Sequence, residues 1–287
     1  MSFKPIRIIA VIGAGVMGRG IALVAAKAGF ETRVVEPNAA AAASARVEIE
    51  KIVKRAREKG DWDAAAFKAI EENLQWKDSV AGAKGAQLVI EAVPEHVGLK
   101  AEVYAGVAEH LLPGAVIATN TSSLSITELA ATSGRPKRFV GMHFFNPVHR
   151  MRLIELVRGL ETEDDALQLV HEVAVAMGKE TVLVRESPGF VTSRVNVLIG
   201  NEAFAMLETG VASAHDIDKA LKLGLNHPMG PFEMVDLVGL DTRLFILEYL
   251  HQALGERFRP NPLHVQYVKA GRLGRKVGRG VYDYPAP

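Results

Sequence analysis

The segment 13-GAGVMG-18 constrains the fold more than any other part of the chain. It follows 6-IRIIAVI-12, a continuous apolar run rich in isoleucine and valine, which predicts a strand buried on both faces of a parallel sheet. Apolar residues recur at helical spacing in 19-RGIALVAAKAG-29, and 32-TRVVE-36 predicts a second strand. The order of these segments therefore predicts a β-α-β unit.

The spacing of the three glycines predicts a dinucleotide site at the turn of this unit. Gly13 permits a tight turn, Gly15 lets the backbone approach a pyrophosphate, and Gly18 lets the helix pack closely on the strand. Val16 and Met17 stand at the helix N-terminus, where free N–H groups can bind phosphate oxygens. The alternative is a structural glycine turn in another kind of α/β protein.

The acid that ends the second strand bears on the choice of cofactor. Glu36 can accept hydrogen bonds from the ribose hydroxyls and would repel a 2′-phosphate. This favours NAD over NADP. Arg33 lies nearby in the sequence, which leaves room for some tolerance of NADP.

Strands and helices alternate as far as residue 185, and helical periods dominate after Pro188. Further strands are predicted at 87–93, 115–119, 139–144, 153–157 and 180–185, and helices at 39–59, 63–73, 100–110 and 164–177. We therefore predict an α/β domain over residues 1–186 with a Rossmann-like, doubly wound, mostly parallel sheet. Residues 187–287 are predicted to form an all-α domain.

Polar side chains collect where predicted strands end, which is the edge where such sheets bind ligands. His143 lies within the apolar segment 141-GMHFFNPVHR-150, near the end of one strand. 120-NTSS-123 and Glu95 follow two others. The alternative for the histidine is a core residue with hydrogen-bonded nitrogens, and for the serines it is helix capping.

Composition excludes several classes of protein. The formal net charge of +1 argues against a nucleic-acid-binding protein, and no apolar run is long enough to span a membrane. The chain has no cysteine, so disulfides, a thiol nucleophile and cysteine-ligated metals are excluded, and we predict no metal site. The start, MSFKPIRIIAVIGAG, mimics a signal peptide, but its apolar run is too short. A cytoplasmic protein is the expectation.

These motifs together resemble the 3-hydroxyacyl-CoA dehydrogenase family over essentially the whole chain. The segments that carry the resemblance are GAGVMG with Glu36, NTSSL at 120–124, HFFNP at 143–147, IELV at 154–157, PGF at 188–190, HPMGPFEMVDLVGLD at 227–241 and GRLGRKVGRGVYDY at 271–284. The length resembles the short-chain, 3-hydroxybutyryl-CoA type. The resemblance implies reversible oxidation of an (S)-3-hydroxyacyl-CoA by NAD to the 3-ketoacyl thioester, in a homodimer formed through the helical domains.

The resemblance also implies roles for individual residues. His143 would be the base that takes the hydroxyl proton, and Glu155 would orient its ring and stabilise the imidazolium. Ser122 matches the position that binds the 3-oxygen of the substrate. The positions around the nicotinamide and its ribose are matched by Glu95, Lys100, Asn120 and Asn146.

The chain departs from the family pattern after the PGF motif. Ser193 stands where many members have asparagine, and Asn196 follows three residues later. Since residues three apart on a helix are neighbours, we expect Asn196 or Ser193 to supply the missing contact to the thioester or the 3-oxygen. The alternative is that Asn196 only cross-links a helix and a loop.

The phosphates of an acyl-CoA need cations, and the helix predicted from residue 39 offers several. Lys51, Lys54 and Arg55 share one face at helical spacing, so Lys51 and Lys54 are candidate CoA contacts. The alternative is a solvated face on which these cations pair with Glu48 and Glu50.

Two other functions stay open at this point. Relatives of the family oxidise free hydroxy acids such as gulonate or carnitine, and the same histidine and glutamate would serve them. An NAD-binding structural protein without turnover is the second alternative. Fatty-acid β-oxidation, butanoate formation and polyester metabolism would all use the acyl-CoA chemistry.

Overall fold

The computed structural model describes residues 6–285, which form two compact units. The first ends at Ser187 and the second begins at Pro188.

The first unit is built around an eight-stranded sheet with the strand order β3-β2-β1-β4-β5-β6-β7-β8. The strands are β1 (Ile8–Ile12), β2 (Glu31–Val35), β3 (Leu74–Lys77), β4 (Leu88–Glu91), β5 (Val116–Thr119), β6 (Phe139–Phe144), β7 (Leu153–Arg158) and β8 (Glu180–Arg185). All neighbouring strands pair in parallel except β6 and β7, which are antiparallel. The predicted Rossmann-like, mostly parallel sheet is confirmed.

Among residues 6–187, six α-helices accompany the sheet. They are α1 (Val16–Lys27), α2 (Ala39–Lys59), α3 (Ala64–Asn73), α4 (Val97–Ala108), α5 (Ile126–Thr132) and α6 (Asp164–Ala176). Asn38 caps α2 and Asp63 caps α3, because each side chain accepts a hydrogen bond from an N–H in the first turn. Ser125 caps α5 in the same way, because its side chain accepts a hydrogen bond from the N–H of Glu128.

The chain order of the strands reverses at β1, which pairs with β2 on one side and with β4 on the other. A crevice opens beyond the carboxyl ends of strands at such a reversal. β1 and β4 are almost entirely buried, which is why both read as continuous apolar runs in the sequence. The glycine-rich turn follows β1 directly, so it lies at this crevice.

The second unit consists of helices. They are α7 (Thr192–Glu208), α8 (Ala214–Gly224), α9 (Pro231–Val238), α10 (Leu240–Leu254) and α11 (Pro262–Lys269). Phe204 and Phe232 pack edge to face in its core at a centroid distance of 5.2 Å. The all-α domain predicted after residue 186 is confirmed as a fold.

The basic, glycine-rich C-terminal segment is held by a buried carboxylate. Asp236 on α9 accepts hydrogen bonds from the N–H groups of Val281 and Tyr282 and from the hydroxyl of Tyr284. Gly280 lies against it, since a Cβ at this position would be 2.0 Å from Oδ1 of Asp236. These contacts hold the segment in place against α9.

Among the helices of residues 6–285, none combines the length and the apolar character that crossing a bilayer requires.

Candidate active site

A cavity of about 730 Å³ opens at the carboxyl ends of β1 and β4. Its walls include four of the five candidate residues of the predicted dinucleotide turn, Gly13, Gly15, Val16 and Met17, and also Glu36 at the end of β2. The fifth candidate, Gly18, does not line the cavity but packs beneath the turn against Gly13.

The glycines of the turn have the geometry that a phosphate site needs. Gly13 has a φ of +95°, a conformation that residues with a Cβ rarely adopt. A Cβ on Gly18 would lie 1.9 Å from the carbonyl oxygen of Gly13, so helix and turn are in close contact there. A Cβ on Gly15 would meet nothing within 4 Å, which leaves open space above the N-terminus of α1. The residues present therefore fit the pyrophosphate of a dinucleotide.

The carboxylate of Glu36 is fixed at the edge of this cavity. Its Oε2 accepts a hydrogen bond from the N–H of Ala14 and its Oε1 from the N–H of Asn38, both at 3.0 Å. Arg33 does not accompany it, because its guanidinium pairs with Glu31 at 2.6 Å and donates to backbone carbonyls at Gly82 and Lys84. The cation on the cavity wall is Arg19, so the tolerance of NADP expected from Arg33 has no basis in its position.

His143 and Glu155 lie opposite each other in the antiparallel pairing of β6 with β7. Nδ1 of the histidine is 2.7 Å from Oε2 of the glutamate. Glu155 is completely buried and His143 is 7 % exposed. A charge-assisted hydrogen bond of this length orients the ring and leaves Nε2 as the nitrogen distant from the carboxylate. The sequence placed the two residues on two strands, but it did not show that they touch.

The loop after β5 brings Ser122 to the same edge of the sheet. Glu95 accepts hydrogen bonds from the N–H of Ser122 at 3.0 Å and from the hydroxyl of Thr121 at 2.5 Å. Asn120 stands at the start of the loop, and its Oδ1 accepts a hydrogen bond from the N–H of Phe144 at 2.9 Å. The loop is therefore tied both to Glu95 and to the strand that carries the histidine.

A buried polar cluster lies behind Glu95. Lys100 is 1 % exposed, and its Nζ lies 2.7 Å from Oε1 of Glu91 and 3.3 Å from Oε2 of Glu95. The second oxygen of Glu91 accepts hydrogen bonds from the hydroxyls of Tyr104 and Thr119. Burial, followed by the charge of Glu91, raises the pKa of Tyr104 far above its ordinary value. Sequence reasoning missed Glu91, because it reads as the last residue of an apolar strand.

Asn146 follows β6 by two residues and is exposed. Among residues 6–285, its side chain forms no hydrogen bond with another residue, so its role stays a prediction.

A second cavity, of about 570 Å³, has a basic wall. Lys51 and Arg55 line it from α2, and His149 and Arg150 line it from the turn after β6. Lys51 also pairs with Glu48 at 2.7 Å, so part of the solvated-face alternative holds. Burial and the neighbouring cations lower the pKa of His149.

Lys54 points away from this second cavity. It lines a separate groove on the other flank of α2, with Arg46, Arg57 and Trp76. The helical spacing that grouped it with Lys51 therefore did not predict a common wall.

The two candidates after the PGF motif lie in the second unit. Ser193 is in the first turn of α7, and Asn196 follows one turn later. Arg243, which is 4 % exposed, donates from Nη2 to the carbonyl oxygen of Asn196 at 2.7 Å and to its Oδ1 at 3.1 Å. Burial lowers the pKa of Arg243 to about 10. The side-chain oxygen of Asn196 is thus engaged within its own unit, in a contact between the helices α7 and α10 and not between a helix and a loop.

Comparison with known proteins gives a consistent result over both units. Residues 8–187 match the family described as "3-hydroxyacyl-CoA dehydrogenase, NAD binding domain", and residues 189–284 match "3-hydroxyacyl-CoA dehydrogenase, C-terminal domain". A probable 3-hydroxybutyryl-CoA dehydrogenase of Bacillus subtilis is 44 % identical over 280 residues, which cover 97 % of this chain and 98 % of that protein. A 3-hydroxybutyryl-CoA dehydrogenase of Bradyrhizobium diazoefficiens is 40 % identical, with 97 % and 96 % covered.

Solved structures show the same relationship. The crystal structure of (S)-3-hydroxybutyryl-CoA dehydrogenase from Ralstonia eutropha superposes with a TM-score of 0.94 at 40 % identity, covering 98 % of this chain and 99 % of that one. With these matches over nearly the full length, the chain belongs to the 3-hydroxyacyl-CoA dehydrogenase family and is an oxidoreductase with NAD as its cofactor.

Proposed function

We propose that this protein oxidises (S)-3-hydroxyacyl-CoA, chiefly 3-hydroxybutyryl-CoA, to the 3-ketoacyl-CoA with NAD, and that the reaction runs in both directions. The observation that carries the proposal is the hydrogen bond between His143 and Glu155 at the edge of the sheet where the dinucleotide cavity opens. The names of the similar proteins support the choice of substrate.

His143 acts as the general base in this proposal. The hydroxyl proton of the substrate passes to its Nε2 while the C3 hydrogen leaves as hydride. NAD, when bound, supplies the hydride acceptor. Glu155 holds the ring through Nδ1 and stabilises the imidazolium that forms, because a buried carboxylate at 2.7 Å interacts strongly with a positive ring.

Ser122 would donate a hydrogen bond to the 3-oxygen as negative charge develops on it. Its backbone is fixed by Glu95, so its hydroxyl is carried on a loop that does not need to reorganise. Glu95, Lys100, Asn120 and Asn146 are proposed to surround the nicotinamide and its ribose. Ser193 or Asn196 is proposed to contact the thioester or the 3-oxygen.

The CoA phosphates would bind at the basic cavity. Lys51 and Arg55 on one wall and Arg150 on the other supply cations for this. Lys54 lines a different groove. If Lys54 contacts the CoA, it would therefore contact a part of the CoA other than the phosphates bound in this cavity.

A homodimer belongs to the same proposal. Large apolar side chains of the second unit are exposed, among them Leu223 at 77 %, Leu225 at 66 % and Val211 at 67 %. Apolar surface of this kind is typical of subunit contacts. We also propose a cytoplasmic location and a role in fatty-acid β-oxidation. The 3-hydroxyacyl-CoA substrate class supports these two proposals.

The assay that tests the proposal mixes the protein with acetoacetyl-CoA and NADH and follows the loss of NADH absorbance. Free acetoacetate and NADPH are run in parallel. Rapid loss with the CoA ester and NADH is the expected result. Turnover of free acetoacetate in place of the CoA ester would reassign the protein to the free hydroxy acids. NADH binding without turnover of either compound would favour a non-catalytic role.

A further inference from the structure

Lys179 is a buried cation outside the proposed catalytic groups. It is 8 % exposed, and its Nζ donates hydrogen bonds to the carbonyl oxygens of Val148 at 2.5 Å and Met151 at 2.7 Å. Among residues 6–285, no carboxylate forms an ion pair with it. Burying a charged amine costs free energy, so the buried position of Lys179 needs a structural or functional explanation.

The two carbonyls belong to the turn of residues 145–152, which joins the strand of His143 to the strand of Glu155. Within the turn, the carbonyl of Pro147 accepts hydrogen bonds from the N–H groups of Arg150 and Met151. Lys179 stands just before β8 and donates to two other carbonyl oxygens of the turn, those of Val148 and Met151.

The turn is also held from the side of α1. Val148 is 2 % exposed, and a Cβ on Gly20 would lie 2.9 Å from its side chain. The apolar contact with Gly20 and the two hydrogen bonds from Lys179 therefore fix the turn between a helix and a strand.

Two residues of the turn line the basic cavity. His149 and Arg150 form one wall of the basic cavity, opposite Lys51 and Arg55 on α2. A shift of the turn would move these two side chains relative to α2, while the β6–β7 ladder would keep His143 aligned with Glu155.

We infer that Lys179 is a positioning residue for acyl-CoA binding, which holds the 145–152 turn so that Arg150 and His149 face Lys51 and Arg55 across the basic cavity. The inference rests on the proposed function in one respect, that this cavity receives the CoA phosphates.

The electrostatic surroundings add a second way to test it. Lys27 and Arg150 are the cations near Lys179, and His149 is a neighbouring titratable ring whose pKa is lowered. Glu48 and Asp61 are acids that line the same cavity. Burial, followed by the charge of Lys27, lowers the pKa of Lys179 to about 8. Above this pH the amine is neutral, and a neutral donor holds carbonyl oxygens less strongly than an ammonium group does.

The experiment measures binding of coenzyme A itself by titration calorimetry, in the wild type, in Lys179→Met and in Lys137→Met. The first variant keeps the length of the side chain and removes its donors. The second removes an exposed lysine of the same unit, which is 67 % exposed and pairs with Glu163. We expect Lys179→Met to bind coenzyme A about tenfold more weakly, because a displaced wall loses aligned contacts. Lys137→Met should bind as the wild type does, and both variants should bind NADH with unchanged affinity.

Coenzyme A affinity within twofold of the wild type in Lys179→Met would overturn the inference. A parallel loss of NADH affinity would also overturn it, because it would indicate a general structural role. If Lys179→Met does not fold, the pH dependence of the wild type provides the test. Its affinity for coenzyme A should fall as the pH rises from 7 to 9. A constant affinity would contradict the inference. A wild type that binds coenzyme A but does not turn over acetoacetyl-CoA would defeat the proposed function and leave the inference standing.

Discussion

His143 and Glu155 face each other across an antiparallel strand pair, with Nδ1 and Oε2 2.7 Å apart. Their contact is a consequence of strand register, since the two residues are directly opposite in the β6–β7 ladder. The register of the β6–β7 ladder therefore sets the alignment of the base with its carboxylate. A slip of one residue would place the glutamate on the other face of the sheet.

Glu155→Gln should lower kcat by about two orders of magnitude, because it keeps the size of the side chain but removes the charge that stabilises the imidazolium. KM for acetoacetyl-CoA should change little, since Glu155 is completely buried. Steady-state kinetics in the reducing direction measure both. Glu72→Gln, on the exposed surface of α3, is the matched control and should behave as the wild type. A Glu155→Gln enzyme with normal kcat would remove the carboxylate from the mechanism.

Glu36→Ser should raise kcat/KM for NADPH by about tenfold or more, because it removes a carboxylate that would repel the 2′-phosphate. Arg19 on the same cavity wall is then available as the cation for that phosphate. The ratio of activities with NADH and NADPH is the measurement. Arg33→Ala should leave this ratio unchanged, since its guanidinium is engaged with Glu31 and backbone carbonyls. A changed ratio in Arg33→Ala would contradict the assignment.

Much of the first unit could be predicted from the sequence, because buried parallel strands leave continuous apolar runs and the dinucleotide turn leaves its glycines. β3 (Leu74–Lys77) was not predicted, since its four residues LQWK are only partly buried at the sheet edge and carry no apolar run. The antiparallel direction of β7 was not predicted either. A strand's own pattern does not encode the direction of its partner, which here depends on the short turn between them.

The site was harder to predict where it depends on tertiary contacts. Family motifs identified His143 as a candidate, but Glu91 and Lys179 carry no local signal for their roles. Glu91 reads as a strand end, and a lysine before a strand reads as a surface residue. Likewise, the helical spacing of Lys51 and Lys54 could not tell which neighbouring elements would divide the surface of α2 into separate cavities.

His264 should make the protein sensitive to mild acid. The residue is 1 % exposed and stacks on Phe204, and its Nε2 donates to the carbonyl of Leu240. Burial, with the charge of Arg243 as a lesser cause, lowers its pKa to about 4. The unfolded chain takes up a proton near the ordinary histidine pKa of about 6.5 and the folded chain does not, so stability is lost as the pH falls from 6.5 towards 4.

The loss attributable to His264 should reach about 2 kcal/mol at pH 5. Scanning calorimetry at pH 7 and pH 5 measures it as a fall in melting temperature. In His264→Phe, which keeps the aromatic stacking, the fall between these pH values should be smaller by several degrees, on the order of 2–4 °C per kcal/mol. An identical fall in both proteins would show that His264 does not titrate in this way.

Gly280→Ala should destabilise the second unit by about 2 kcal/mol or more, because the new Cβ would lie 2.0 Å from Oδ1 of Asp236. The displaced carboxylate would lose its hydrogen bonds to the C-terminal segment. Limited proteolysis should then release this segment faster. Gly224→Ala is the matched control, since a Cβ there meets nothing within 4 Å, and it should leave the melting temperature unchanged or slightly raised. Equal resistance of the two variants would refute the argument.

The most direct test of the account concerns the base itself. His143→Gln is compared with the wild type for NADH binding, by fluorescence, and for turnover of acetoacetyl-CoA. If His143 is the general base, the variant binds NADH with unchanged affinity and its kcat falls by about a thousandfold. A variant that binds NADH normally and keeps kcat within tenfold of the wild type would contradict the central claim.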